Sequence, residues 1–209
     1  MATVTLDEAA ALTRTGDVWL FRGITPADHA IRLATNAPVN HVALAVTIGD
    51  LPPMLWHAEL GRKLLDLWTG THHRGAQLHD LPAAVERWSR GRSQRVFLRQ
   101  LQPEAGRGEE DAALSAVARW NGTSFPSTGQ LAWRWFSGRN RIPTPELPLV
   151  ERTEVAYCAE LAAVTLQGMG VLDDDLPATW YDPGRFWSGD DMPLQDGWSY
   201  GAEIEVIAA

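Results

Sequence analysis

Cys158 is the only cysteine among 209 residues, and its setting makes it a candidate nucleophile. It stands in Tyr157-Cys158-Ala159-Glu160-Leu161, near the start of a helix that apolar spacing predicts over 155–168, stopped by Gly168 and Gly170. There the unbonded amides of the first turn and the helix dipole favour thiolate. If Thr153 capped a longer helix, the cysteine would lie a turn inside. A lone cysteine also packs as a small apolar side chain, so position alone leaves both roles open.

A thiol nucleophile needs a base within hydrogen-bond reach, and the base needs a group that orients its ring. Of the six histidines, His29, His72, His73 and His79 fall in predicted helix or loop, where a solvated ring is expected. His41 opens the strongest predicted strand, Val39 to Ile48, in which Val42, Leu44, Val46 and Ile48 alternate. Turn residues Gly49-Asp50 and Pro52-Pro53 follow, and His57 lies on the predicted returning strand, Met54 to Glu59. A hairpin would bring the two rings to one face, either as base and orienting partner or as two histidines satisfied beside the core. Glu59 shares the face of His57 and is a second candidate orienter. Asp17 is a turn residue before a strand or, alternatively, an outer partner of the site.

The other predicted elements have to position these residues. They are a helix over 6–14, a short strand Val18 to Phe21, a helix over 25–35, a strand Gln77 to Leu81, a helix over 82–90 and a strand Val96 to Leu101. Pro103 to Glu110 reads as a charged linker, 111–120 as a helix, and Glu203 to Ile207 as a last strand. Pro126, Pro143, Pro145 and Pro148, with Trp133 and Trp135, mark 121–150 as a Pro- and Trp-rich insertion. Strands among helices without regular βαβ alternation indicate an α+β fold around an antiparallel sheet, in a single domain over 1–209.

Three segments, in order, resemble the circularly permuted NlpC-like, or YiiX-like, papain-fold cysteine hydrolases. Gly16-Asp17-Val18-Trp19-Leu20-Phe21-Arg22-Gly23 is similar to their opening "GD, then apolar strand". Val39-Asn40-His41-Val42-Ala43-Leu44 looks like their S-H-V-G-L strand, with Asn40 in place of serine. Tyr157-Cys158-Ala159-Glu160-Leu161 looks like their F-C-S-E-L nucleophile helix, with Ala159 in place of serine. Gly170-Val171-Leu172, Tyr181-Asp182-Pro183 and Phe186-Trp187 match the usual trailer. The resemblance spans about residues 16–190, and histidine before cysteine is the permuted order.

It implies a permuted papain-like fold, Cys158 as nucleophile and His41 as base. The third position falls on His57, since Leu55-Trp56-His57-Ala58 occupies the place of a V-L-E-A segment. Many relatives have glutamate there; histidine occurs in the lecithin:retinol acyltransferase relatives. The implied chemistry is attack on an amide, ester or thioester, a covalent thioester, and release to water or a second nucleophile. A cysteine amidase or peptidase comes first, a lipid acyltransferase or thioesterase second, and an idle papain-like binding domain third.

Composition narrows the partners. A net charge of −8 argues against nucleic acid, whose phosphates require clustered Lys and Arg. One cysteine excludes an internal disulfide framework. No run of about 18 apolar residues exists to span a membrane, and Asp7 and Glu8 interrupt any leader-like stretch, so the cytoplasm is the expected location. No cofactor and no metal are expected: Cys158, His41 and His57 number enough for an open zinc site but contain no closely spaced ligand pair. The expected partner is a small peptide, amide or lipid-like acyl substrate. The ten tryptophans are read mostly as packing anchors.

Overall fold

The computed structural model describes all residues except Thr25, Leu60, Arg92, 124–153, Asp190, Asp191 and Ala209. The expected insertion at 121–150 therefore lies, apart from residues 121–123, outside the described residues. In chain order the elements are β1 (Ala2–Thr5), α1 (Leu6–Leu12), β2 (Val18–Gly23), α2 (Pro26–Thr35), β3 (His41–Val46), β4 (Met54–Glu59) and β5 (Gly75–Asp80). There follow α3 (Leu81–Gly91), β6 (Ser93–Arg99), β7 (Leu101–Gln102), α4 (Arg107–Trp120), α5 (Glu154–Gly168), β8 (Ser199–Tyr200) and β9 (Ile204–Ile207).

Among the described residues, seven strands form one sheet in the order β1-β9-β6-β2-β3-β4-β5. Every pairing is antiparallel except β1 with β9. The architecture is α+β, with helices on both faces. Strand alternation divides β3 between them: Val42, Leu44 and Val46 join the core under α4 and α5, while Ala43 and Ala45 join the core under α1 and α3. All six residues of β3 and all six of β4 are buried for this reason.

Helix α3 repeats apolar residues at Leu81, Ala84, Val85 and Trp88, the i, i+3, i+4, i+7 spacing of a single stripe, and this stripe lies on the sheet. Asp80 starts it by accepting the Ala83 N–H at 2.9 Å. The segment read as a charged linker is partly helix. Helix α4 begins at Arg107, where Glu109 reaches back to accept the Gly106 N–H at 2.9 Å. On the opposite face α5 packs through Leu161, Ala162 and Leu166, and Trp56 on β4 donates its indole N–H to Thr165 at 3.2 Å.

Candidate active site

His41 and His57 lie on the α3 face. His41 is opposite Phe21 of β2, and its ring stacks on Trp88 with centroids 4.2 Å apart and planes 15° apart. His41 Nε2 is 3.0 Å from His57 Nδ1. The contact continues, because His57 Nε2 is 2.9 Å from His79 Nδ1, and His79 Nε2 is 3.1 Å from Gln77 Oε1. All four side chains are at most 4% exposed. They come from the ends and middles of three adjacent strands, since His57 is paired with Gln77 across β4 and β5.

The far end of the chain gives it a direction. The Gln77 amide NH2 donates to the carbonyls of Glu59 and Gly75, both at 3.3 Å. Carbonyls accept only, so Oε1 is turned to His79 and His79 Nε2 must carry the proton. His79 Nδ1 is then an acceptor, so His57 Nε2–H donates to it. His57 Nδ1 accepts in turn from His41 Nε2–H, which makes His41 Nδ1 the basic nitrogen of its ring. Burial pushes the pKa of both His57 and His79 down to about 3, which keeps both rings neutral near pH 7. A base whose N–H is held by a neutral acceptor is the arrangement that general-base chemistry uses.

Glu59, two residues beyond His57, shares the face but points elsewhere: its Oε1 accepts from Arg87 Nε at 3.4 Å and Nη2 at 3.3 Å. Its Oε2 is buried with no hydrogen-bond partner. Gly61 leaves room for this carboxylate, since a Cβ there would stand 2.2 Å from Glu59 Oε1. His57, Glu59 and His79 each offer one ligand atom within 4.8 Å of the others, so these three could hold a cation.

Cys158 lies across the sheet. It is 1% exposed within the core under α4 and α5, whereas His41 sits on the face of Ala43. The structure thus brings His41 and His57 together and leaves Cys158 on the other face. The described part of α5 begins at Glu154, so Cys158 is its fifth residue, beyond the first-turn amides. This is also why Cys158, His41 and His57 do not form a common ligand set.

Asp17, whose role was left open, is fully buried and accepts backbone N–H bonds from Leu101 at 2.8 Å and Arg14 at 2.9 Å. It ties β2 to the β6–β7 corner and is remote from the histidines. The expectation of a solvated His79 is corrected: it is 1% exposed on β5, the strand expected over Gln77 to Leu81. Alternation in Ala76-Gln77-Leu78-His79 signals a strand, but polar alternate positions read as the wet face. Here α3 covers that face, and Gln77 and His79 satisfy each other beneath it.

No protein-family model matches the chain, and no curated protein matches it. Among solved structures it is similar to the crystal structure of the metalloprotein yiiX from Escherichia coli O157:H7, at 12% identity and a TM-score of 0.49, over 91% of this chain and 97% of that one.

Proposed function

We propose that the protein hydrolyses or transfers acyl groups, with His41 as general base and an amide or short peptide as its first substrate class, ahead of a lipid ester or thioester. The observation that carries this reading is the one-way chain from Gln77 through His79 and His57, which makes His41 Nδ1 the proton acceptor. In the reaction Nδ1 takes the proton of the nucleophile as that atom bonds to the acyl carbon. The imidazolium, held through Nε2–H by His57, then returns the proton to the departing amine, alcohol or thiol. The nucleophile is a water or the Cys158 thiol. A thioester route requires Cys158 to come round to the face of His41; a water does not.

The test is turnover of short peptides, amides, acyl thioesters and phospholipids by wild type, His41→Ala, His57→Ala and Cys158→Ala. His41→Ala is expected to lose about 10²–10⁴ in rate. Abolition by Cys158→Ala, with an acyl adduct on Cys158 by intact mass, assigns the thiol; retained turnover assigns water. If wild type turns over none of these, the acyl-transfer reading fails and a binding domain takes its place.

A second reading is favoured by Glu59 Oε2, a buried carboxylate oxygen without a donor. A divalent cation held by Glu59, His57 and His79 would satisfy it, a two-histidine, one-carboxylate set. If His57 bound it through Nε2, that nitrogen would have to give up its proton, while His79 Nδ1 carries none; His57 Nδ1–H would then donate to His41 Nε2, reversing that one link. Stoichiometric zinc or iron in the purified protein, lost in Glu59→Gln, supports this reading; metal-free protein that is active in chelator rules it out.

A further inference from the structure

The ladder between β2 and β6 sets Arg22 directly opposite Arg95. Like charges facing each other across a ladder destabilise it, and the register also shifts between Arg22 and Gly23. Both arginines open onto a cavity of about 340 Å³, lined among the described residues also by Gly23, Ile24, and His29 and Arg32 of α2. Glu205 engages Arg95 at Nε, 2.7 Å, and Nη2, 3.0 Å. Arg32 directs Nη2 at the His29 ring, 2.9 Å from Nδ1, while its Nε is buried with no hydrogen-bond partner. Three guanidinium groups and an imidazole thus line one space.

We propose that this cavity binds the oxyanion of a ligand, a phosphate or carboxylate group, through Arg32 and Arg22 with Arg95 behind them. Planar guanidinium forks match such groups bidentately. The cavity is joined to the strand of the histidine chain. Gly23 donates its N–H to Asn40 Oδ1 at 2.6 Å, and Asn40 immediately precedes His41. Asn40 Nδ2 also donates to Asp28 of α2 at 2.9 Å, which ties the Arg32 wall to the start of β3. By strand alternation Arg22 and Arg95 share the face of Leu20 and Phe97, so a ligand held here lies near the start of β3 but across the sheet from the His41 ring. Calling the ligand a substrate rests on the acyl-transfer reading; binding of the oxyanion does not.

The experiment is calorimetric titration of inorganic phosphate, and separately acetate, into the full chain at constant ionic strength. Wild type, Arg32→Gln, Arg32→Lys and a distant control, Arg107→Gln on α4, are compared. Saturable binding of one equivalent is expected in wild type and Arg107→Gln, at least tenfold weaker in Arg32→Gln and partly restored in Arg32→Lys. The preferred anion identifies the group. No saturable binding of either anion at millimolar concentration, undiminished binding in Arg32→Gln, or an equal loss in Arg107→Gln overturns the proposal. Binding without turnover of any acyl substrate leaves this site standing and fails the acyl-transfer reading. Turnover without anion binding fails this inference alone.

Discussion

Gln77 and His41 stand at opposite ends of one hydrogen-bond chain, and the orientation of the Gln77 amide sets which nitrogen of His41 is basic. Replacing Gln77 by Leu removes the acceptor while nearly keeping the volume. The His79 N–H is then buried without a partner, at a cost of about 1–3 kcal/mol. Imidazole nitrogen NMR of wild type is expected to show the Nε2–H tautomer in His41, His57 and His79. Mixed tautomers are expected in Gln77→Leu, with a lower rate on any substrate found. A single unchanged tautomer in the variant contradicts the directional chain.

Trp88 is the floor beneath the His41 ring, and Phe21 adds a second aromatic contact at 5.6 Å. Trp88→Ala empties this space and is expected to cost about 3–5 kcal/mol in denaturant unfolding. Trp88→Phe keeps an aromatic face and is expected to cost much less. If the two variants are equally destabilised, the stacked geometry is not what holds the ring.

The buried histidines set the acid limb of stability. Their folded pKa is about 3, against an unfolded value near 6.5, so the folded state holds them neutral while the unfolded chain takes up protons. Their contribution is complete above about pH 6.5 and is lost as pH falls towards 3. Each adds a slope of about 1.4 kcal/mol per pH unit in that window. Urea midpoints measured from pH 7 to pH 4 are expected to fall, and less steeply in His79→Gln. A flat profile excludes buried neutral rings.

Asp66, fully buried between β4 and β5, organises the intervening loop. Burial alone would raise its pKa, but bonds from Thr69, His73, the Leu78 N–H and Asn121 outweigh that and hold it at about 2. Its contribution is therefore present above about pH 3.9, the ordinary carboxyl value, and is lost as pH falls through 2. Asp66→Asn keeps the shape but exchanges one acceptor oxygen for a donor facing Thr69 or Leu78. A loss of about 2–3 kcal/mol at pH 7 is expected from thermal or urea unfolding; a neutral substitution would deny it this role.

Much of this architecture was legible because periodicity reports burial. The strand at His41–Val46 and its return at Met54–Glu59 follow from alternation and the intervening turn, and the helix 154–168 from its apolar spacing and closing glycines. The strand Ala2–Thr5 was not legible. It is four residues long and takes its place only through pairing with Ile204–Ile207, a contact that no local pattern reports. The His41–His57 proximity follows from the hairpin. The position of Cys158 relative to them depends on which face α5 covers, which is a matter of tertiary packing. His79 was hidden for a related reason: polar alternation looks the same whether water or another side chain satisfies it.

The parallel pairing of β1 with β9 has a consequence for synthesis. In the sheet β9 lies between β1 and β6, so among the described strands residues 2–5 have none to join until residues 204–207 exist and have docked on β6. On the ribosome residues 2–5 must wait for residues 204–207, which are made much later, and closing so long a loop is slow and entropically costly. The hairpin carrying His41 and His57 needs only nearby sequence and can form early. Residues 2–5 therefore act as a late latch, which closes only when the rest of the sheet has been assembled.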